Sequence, residues 1–244
     1  MAIWGKILGG AAGLMVGGPL GGLIGGLAGH AYDRIKGEQE TDEDPSLARQ
    51  TTFAIGIIVL SAKMAKADGT VTRDEVNAFK QIFHIPAEEI KNVGRVFDQA
   101  RKDSRGFEPY AKQISNLFQS NPAVLEELLG GLFHIARADG VSHPKEIEFL
   151  KKCSDIFGFD DATFDRMQVA HMGAVMDDPY TILGATRDMS DTDIKKSWRK
   201  LVREHHPDTL VAQGMPVEFI EVATEKIAAI NAAYDEISKQ RGIV

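Results

Sequence analysis

Hydrophobic and polar positions recur at helical spacing over most of the chain, most regularly between Ser190 and His205. At about 100° per residue, the apolar side chains of this segment fall on one stripe about 80° wide, and the basic side chains fall on the opposite side. The stripe consists of Ile194, Trp198, Leu201, Val202 and His205. This pattern predicts an amphipathic helix with one packed face and one basic face in solvent.

A second amphipathic segment runs from about residue 217 to 239, and its core positions follow a 3-4-3-4-3 spacing. Pro207 lies between the two segments, where it prevents the first helix from continuing and disfavours the helical conformation for His206. We therefore expect two antiparallel helices, joined by a loop that carries His206, Pro207 and Asp208. The core positions of the second helix are Ile220, Ala223, Ile227, Ile230, Tyr234 and Ile237.

The middle of the chain, from about residue 47 to 166, contains an internal repeat of helical patterns. Each copy has a long apolar helix, an Asp-Gly stop, a hydroxyl residue and a second amphipathic helix. The first stop is Asp68-Gly69 and the second is Asp139-Gly140. Together with a short helix predicted from Asp178 to Gly184, these patterns predict an all-α protein.

The N-terminal segment differs from the rest because no residue from Ile7 to His30 carries a full charge, counting histidine as neutral. A helix from Ile7 to Gly29 would be about 35 Å long, enough to cross a hydrocarbon core of about 30 Å. We therefore predict a single transmembrane helix, with Trp4 as an anchor at the water–lipid boundary. A cleaved signal peptide and a glycine-rich surface tail are the alternatives.

Glycine recurs at every fourth position of this segment, which gives a smooth ridge along one side of the predicted helix. Such a ridge allows a second helix to pack backbone to backbone. One expected arrangement is therefore a homodimer formed through the transmembrane helix. The residues of this ridge are Gly9, Gly13, Gly17, Gly21, Gly25 and Gly29.

Composition limits the classes of partner. The 244-residue chain has a formal net charge of −7, which argues against nucleic acid as the main partner. The single cysteine, Cys153, cannot form an internal disulfide, and this is typical of a reducing compartment. Residues 37–46 are acidic and lack apolar periodicity, so we predict that they form a solvated linker.

The sequence contains no arrangement of residues that is typical of an enzyme. His134, His143 and His171 are scattered, Cys153 has no base nearby in sequence, and no glycine loop is followed by the lysine and hydroxyl residue of a phosphate site. We therefore predict no catalytic residue and no cofactor.

The repeated Asp-Gly stops allow two interpretations. The carboxylates of Asp68, Glu75, Asp139 and Glu146 would suit calcium or magnesium if the fold brought them together. However, the loops lack the alternating ligands of an EF-hand, and Asp-Gly before a capped helix is an ordinary turn. We therefore expect two equivalent structural corners and no metal site.

The residues from Asp178 to about Arg241 resemble the J-domain of the DnaJ (Hsp40) family. The resemblance rests on the D-P-Y-x-x-L-G opening, the basic helix, the His206-Pro207-Asp208 triplet and the sequence Ile230 to Tyr234. It implies a protein without chemistry of its own, which binds an Hsp70 chaperone and stimulates its ATP hydrolysis. One departure is Thr209, where many family members carry lysine.

The same resemblance implies which residues bind the Hsp70. The His206-Pro207-Asp208 loop would contact the junction between the ATPase domain, the linker and the substrate domain. The basic helix would dock on an acidic surface of the ATPase domain, and salt would screen this attraction. The basic residues are Lys195, Lys196, Arg199, Lys200 and Arg203.

Residues of about 50 to 165 resemble the TerB-like (tellurite-resistance) helical domain, whose two halves carry Ala-Asp-Gly turns. With the N-terminal segment, the whole order resembles the DjlA-type membrane-anchored, DnaJ-like co-chaperones of Gram-negative bacteria. The implied segments are 1–36 (transmembrane), 37–46 (linker), 47–166 (TerB-like), 167–177 (linker) and 178–244 (J-domain).

This resemblance implies a DnaK-type Hsp70 as the partner, and membrane lipid around the N-terminal helix of a single-pass inner-membrane protein. Because the Hsp70 and ATP are cytosolic, the N-terminus is expected outside and the C-terminal domains in the cytoplasm. Two alternatives belong to other functional classes. One is a membrane-bound scaffold that uses the glycine ridge, and the other is a cation or stress sensor that acts through the TerB-like domain.

Overall fold

The computed structural model describes residue 4 and residues 17–25, 45–68, 73–103, 105–138, 140, 143–172 and 178–243. Every regular element in these ranges is helical, which confirms the all-α prediction for this part of the chain. The helices are α1 Gly18–Gly25, α2 Pro45–Asp68, α3 Arg73–Ile82, α4 Ile90–Lys102, α5 Glu108–Phe118, α6 Pro122–Ala136, α7 Pro144–Phe157, α8 Asp161–Met172, α9 Pro179–Ile182, α10 Asp191–Glu204, α11 Pro207–Ala212 and α12 Ile220–Arg241, with a 3-10 turn at Val217–Phe219.

Helix α2 forms the centre of the middle domain. Nearly every side chain from Phe53 to Ala65 is buried, and α4, α5, α6 and α7 pack around it. A helix that is apolar on all sides is stable only inside a core. Two hydroxyls of α2 bond to the preceding turn: Ser61 donates to the Ile57 carbonyl at 2.7 Å and Thr52 to the Ala48 carbonyl at 2.8 Å.

Lys63 is the one cation in this buried stretch of α2, and its ammonium group is fully bonded. It donates to the Asp103 carboxylate at 3.0 Å, to the Asp103 carbonyl at 3.0 Å and to the Arg105 carbonyl at 2.6 Å. Asp103 also accepts a hydrogen bond from the Tyr110 hydroxyl at 2.7 Å. Partial burial alone would raise the pKa of Asp103, but the bonds from Tyr110 and Lys63 lower this pKa to about 2.

A second, smaller core lies between α9, α10 and α12. The indole of Trp198 stacks on the Tyr234 ring with 4.3 Å between the centroids, and its N–H donates to Asn231 Oδ1 at 2.9 Å. Ile194, on the same stripe of α10, is fully buried against α12. The predicted pair of antiparallel helices is therefore confirmed. Of the predicted α12 seam, Ile230, Tyr234 and Ile237 belong to this core, whereas Ile220 and Ala223 pack in the core of the middle domain.

The chain between the paired helices differs from the predicted loop. Pro207 ends α10, as expected, but it also starts α11, because proline suits the first position of a helix. The stretch that follows is inserted into the core of the middle domain, where Leu210, Met215 and Phe219 are buried. Gly214, at φ +107°, passes so close to Arg49 that an added Cβ would lie 2.7 Å from the Arg49 Cβ.

Phe219, one of these inserted residues, packs among aromatic rings. Its ring centroid lies 4.8 Å from that of Phe53, 4.6 Å from that of Phe83 and 5.9 Å from that of Trp4. The Trp4 indole also donates to the Phe83 carbonyl at 3.1 Å. The structure therefore corrects the sequence prediction for Trp4, since this side chain is buried in the protein core and does not lie at a lipid boundary.

The N-terminal helix also differs from its prediction. The sequence predicted one helix from Ile7 to Gly29, whereas α1 begins at Gly18, because Gly17 and Gly18 both have positive φ angles. The apolar residues of α1 (Leu20, Leu23 and Ile24) pack into the core of the middle domain. Within the described ranges, no helix is both long enough and apolar enough to span a bilayer.

Gln113 of α5 holds the start of α1. Its side-chain carbonyl accepts from the Leu20 backbone N–H at 2.9 Å, and its amide donates to the Gly17 carbonyl at 3.0 Å.

Farther along the chain, α8 continues to Met172 and therefore occupies the start of the segment that the sequence predicted as a linker from residue 167.

We predict that the Asp103→Asn variant is destabilised by about 2–3 kcal/mol, because the buried Lys63 ammonium loses its counter-charge. Urea denaturation of the full chain measures this loss. The control is Asp98→Asn, an exposed carboxylate on α4, which should change the free energy of unfolding by less than about 0.5 kcal/mol. Equal effects of the two substitutions would contradict the assignment.

Candidate partner-docking surface

The His206-Pro207-Asp208 triplet forms the start of helix α11. His206 is its N-cap, with extended backbone angles of φ −62° and ψ 131°, because the following proline disfavours the helical conformation. The His206 Nδ1 accepts from the Asp208 backbone N–H at 3.2 Å. The triplet is therefore held in one conformation by local bonds, with its side chains directed away from the protein core.

His206 and Asp208 of this triplet are exposed to solvent, whereas residues on either side of the triplet are buried. The His206 side chain is 50% exposed and that of Asp208 is 94% exposed, whereas the adjacent His205 and Leu210 are buried. The His206 Nδ1 and the Asp208 Oδ2 lie 3.8 Å apart. Both groups can therefore form directional hydrogen bonds with another protein without any rearrangement of the backbone.

The basic side of α10 continues this exposed surface. Lys196, Arg199, Lys200 and Arg203 are exposed and Lys195 is partly exposed. Lys196 pairs with Asp193 at 3.1 Å, whereas the other basic residues of this group have no ion-pair partner in the part of the chain that the structure describes. A helix face that carries several unpaired cations in a protein of net charge −7 is suited to an acidic partner.

A shallow hollow of about 280 Å³ connects the basic helix with the triplet. Trp198, Arg199, Val202 and Arg203 form one side of the hollow, and His206 and Thr209 form the other. Of the predicted residues, Arg199, Arg203 and His206 therefore line one hollow, and Thr209 occupies part of its wall. We name this surface, which comprises the hollow, the triplet and the basic residues of α10, the docking surface.

The opposite side of the same helices contacts the middle domain through buried ionic groups. The His205 Nδ1 lies 2.7 Å from Glu127 Oε1, and its Nε2 lies 3.6 Å from Glu126 Oε2. Lys226 of α12 contacts Glu126 at 2.7 Å and Glu127 at 3.0 Å. Arg166 of α8 donates to Glu126 at 2.8 Å. We name these residues the buried charge cluster.

The charges of this cluster compensate one another. Burial alone would raise the carboxyl pKa values, but Lys226, together with His205, holds the pKa values of Glu126 and Glu127 below their usual range. Lys226 and Arg166 supply two positive charges against the two carboxylates. The cluster therefore fixes the J-domain-like helices to α6 without leaving a buried charge unpaired.

Sequence reasoning did not find this cluster. It placed His205 on the apolar stripe of α10, and it assigned no role to Glu126, Glu127, Arg166 or Lys226. One signal was available, because two adjacent glutamates interrupt the otherwise apolar helix from Val124 to Ile135. Buried carboxylates in such a helix require cations from elsewhere in the fold.

Two other groups of predicted residues are described only in part. Of the glycine ridge, Gly9, Gly13 and Gly29 lie outside the described residues, Gly17 precedes α1, and Gly21 is buried within the protein. Self-association through the ridge therefore stays a prediction.

Of the four repeat carboxylates, only the side chain of Glu146 is described, and it is buried. Among the described side chains, no group of three metal-ligating residues is found.

The remaining candidate residues for chemistry lie inside the fold. Cys153 is fully buried, and burial raises the pKa of its thiol, which keeps it protonated. Burial also lowers the pKa of His134, and that of His171 to about 4. The His171 ring stacks on Phe133 at 5.9 Å, beside the buried charge cluster.

Comparisons with known proteins agree with this arrangement. Three family models match the chain in order: the co-chaperone DjlA transmembrane domain at residues 1–51, the tellurite resistance protein TerB at 54–169 and the DnaJ domain at 178–242. Relatives named co-chaperone protein DjlA match along nearly their whole length. The protein from Photobacterium profundum is 30% identical over 98% of this chain and 99% of its own.

The protein of the same name from Aliivibrio fischeri is also 30% identical, over 100% of both chains. The one from Escherichia coli K12 is 27% identical over 99% of both chains. No solved structure matched the chain.

We predict that the Glu126→Gln, Glu127→Gln double variant loses about 3–5 kcal/mol of stability, because Lys226 and Arg166 remain buried without counter-charges. Urea denaturation provides the measurement. Asp235→Asn, an exposed carboxylate on the same helix as Lys226, is the control and should have little effect. A double variant as stable as this control would show that the cluster contributes nothing to the contact.

We predict that the free energy of unfolding depends on pH through His171. Burial lowers the pKa of His171 from 6.5 to about 4, so the unfolded chain binds the proton first as the pH falls. The free energy of unfolding should therefore decrease between pH 7 and pH 5, by up to about 2 kcal/mol from this residue. Thermal melts of His171→Gln should show a smaller decrease than the wild type. The exposed His84→Gln variant should retain the wild-type decrease.

Proposed function

The chain belongs to the DjlA co-chaperone family, and on this premise we propose that it binds a DnaK-type Hsp70 and stimulates its ATP hydrolysis at the inner membrane. The relatives are named co-chaperones, and the match to the DnaJ domain covers the complete docking surface. A J-domain implies an Hsp70 partner. The protein itself then supplies binding contacts, and the ATP chemistry takes place on the Hsp70.

The observation that carries this proposal is the exposure of the docking surface as one unit. The triplet is fixed as the start of α11, and the basic side of α10 lies next to it with most of its cations unpaired. The buried charge cluster occupies the opposite side of these helices. The contact with the middle domain therefore does not compete with the proposed contact with the Hsp70.

The two parts of the docking surface have different physical roles in this proposal. Lys195, Arg199, Lys200 and Arg203 attract an acidic surface over a distance, which increases the rate of association and is screened by salt. His206 and Asp208 form short directional hydrogen bonds only after the proteins meet. Loss of the triplet should therefore abolish stimulation, whereas loss of basic residues should mainly raise the concentration of co-chaperone that is required.

The N-terminal part of the chain supports a membrane location. Residues 1–51 match the transmembrane domain of DjlA, and the whole uncharged segment lies inside that match. We propose that this segment anchors the protein with its N-terminus outside and its C-terminal domains in the cytoplasm, where the Hsp70 and ATP are found. Self-association through the glycine ridge belongs to the same proposal.

We predict that the full chain, reconstituted in lipid nanodiscs, accelerates single-turnover ATP hydrolysis by a DnaK-type Hsp70 and that His206→Gln removes at least about nine-tenths of this acceleration. The exposed His84→Gln variant on the middle domain is the matched control and should retain full stimulation. If the wild-type protein fails to stimulate the Hsp70, or if His206→Gln stimulates as well as the control, the proposal is wrong.

A charge variant tests the electrostatic role of the basic residues of α10 in the same assay. Lys200→Glu with Arg203→Glu should raise the co-chaperone concentration for half-maximal stimulation about tenfold at low salt and less at high salt. Its maximal stimulation should remain close to that of the wild type, because the triplet is unchanged. A loss of maximal stimulation without a change in the required concentration would contradict the docking role of α10.

A further inference from the structure

The middle domain contains an apolar cavity that shares no lining residue with the docking surface. The cavity has a volume of about 330 Å³, is partly open to solvent and is lined by residues of α2, α3, α4 and α6. Its apolar walls include Ala65, Phe79, Ile85, Ile90, Val93 and Phe97. The volume lies at the lower end of the range of about 300–1,000 Å³ that is typical of small-molecule sites.

Gly94 keeps one wall of this cavity open. It lies in the interior of α4, where glycine destabilises a helix by about 0.5–1 kcal/mol relative to alanine. Close packing does not require a glycine here, because an added Cβ would meet no atom within 4 Å. Another residue would therefore fit the protein itself, and the space above Gly94 remains available to a ligand.

Charges at the mouth of the cavity indicate the chemistry of that ligand. Lys80, Asp98 and Arg101 line the cavity. Arg101 lies 3.8 Å from the Asp98 carboxylate, whereas Lys80 forms no ion pair with any residue that the structure describes. The neighbouring exposed side of α4 adds Lys91 and Arg95, and Glu88 and Glu89 directly precede this helix, so four cations stand against three carboxylates among these residues. This local excess of positive charge, in a chain of net charge −7, favours an anionic group beside the apolar walls.

The size of the cavity distinguishes between two classes of occupant. An amphipathic helix docks through several side chains spaced along an extended groove, whereas this cavity has a volume of only about 330 Å³. A single hydrocarbon chain fits such a space, and burial of its methylene groups is favourable. The exposed side chain of Ile90, at 37%, lies at the cavity and extends the apolar surface toward solvent.

We propose that this cavity binds a fatty acid, with the hydrocarbon chain between α3 and α4 and the carboxylate near Lys80 and Arg101. This site would add a ligand-binding function to the middle domain, which is separate from the stimulation of an Hsp70. The proposal does not depend on the docking surface, and its test needs no Hsp70.

Photo-crosslinking tests the site in the intact protein. The full chain in phosphatidylcholine nanodiscs is labelled with a diazirine analogue of dodecanoate, and the labelled peptides are mapped by mass spectrometry. We expect labelling within residues 76–101 that an excess of dodecanoate removes. Labelling confined to other parts of the chain, including the N-terminal segment that we propose as the membrane anchor, would overturn the proposal.

Two variants distinguish a cavity site from general partition into the bilayer. Gly94→Trp fills the mouth and should reduce labelling of α4 at least about tenfold, whereas the matched Gly94→Ala variant should retain it. A thermal melt establishes that the tryptophan variant is folded. If Gly94→Trp is folded and is labelled like Gly94→Ala, the proposal is wrong.

A charge variant remains informative even if Gly94→Trp does not fold. In the wild type, dodecanoate should displace the label at about tenfold lower concentration than dodecanol, because only the acid carries a charge. Lys80→Met with Arg101→Met should remove this difference. A wild-type protein that binds the alcohol as well as the acid, or competition by phosphatidylglycerol in the bilayer instead of by dodecanoate, would overturn the assignment of a fatty acid.

Discussion

Two adjacent carboxylates in an apolar helix impose the constraint on which the arrangement of the domains depends. Glu126 and Glu127 are both buried in α6, where an unpaired carboxylate would cost several kcal/mol. Cations from two other helices satisfy them: Lys226 of α12 contacts both, and Arg166 of α8 contacts Glu126. The J-domain helices must therefore lie against α6 for the middle domain to be stable, and the two domains cannot be understood separately.

This constraint also determines which surface of the J-domain remains available. His205 and His206 are adjacent in sequence, yet the first is buried against the carboxylates and the second is half exposed at the start of α11. Pro207 separates the two environments, because it ends α10 and starts α11 between the buried His205 and the exposed Asp208. The contact of His205 with the buried carboxylates thus fixes the orientation of the exposed docking surface.

The sequence was sufficient for features that depend on local pattern. The apolar stripe of α10, the C-terminal part of the α12 seam and the effect of Pro207 on His206 follow from spacing and covalent geometry, and they were predicted correctly. Contacts between distant segments were missed. Periodicity shows that a side chain such as His205 is buried, but it does not identify Glu127 as its neighbour. For the same reason, Trp4 was assigned to lipid, although its ring packs on Phe219.

The insertion of Phe219 into the middle domain limits how far the J-domain of this protein can be excised and moved to another protein. Three family matches in series suggest modules that could be cut apart and exchanged. The boundary in the folded protein runs elsewhere, because Leu210, Met215 and Phe219 complete the core of the preceding module. A J-domain excised at its family boundaries would carry this apolar surface into solvent, where it favours aggregation. The unit that can be transplanted therefore comprises the middle domain and the J-domain together with Trp4 and α1, which belong to the same core.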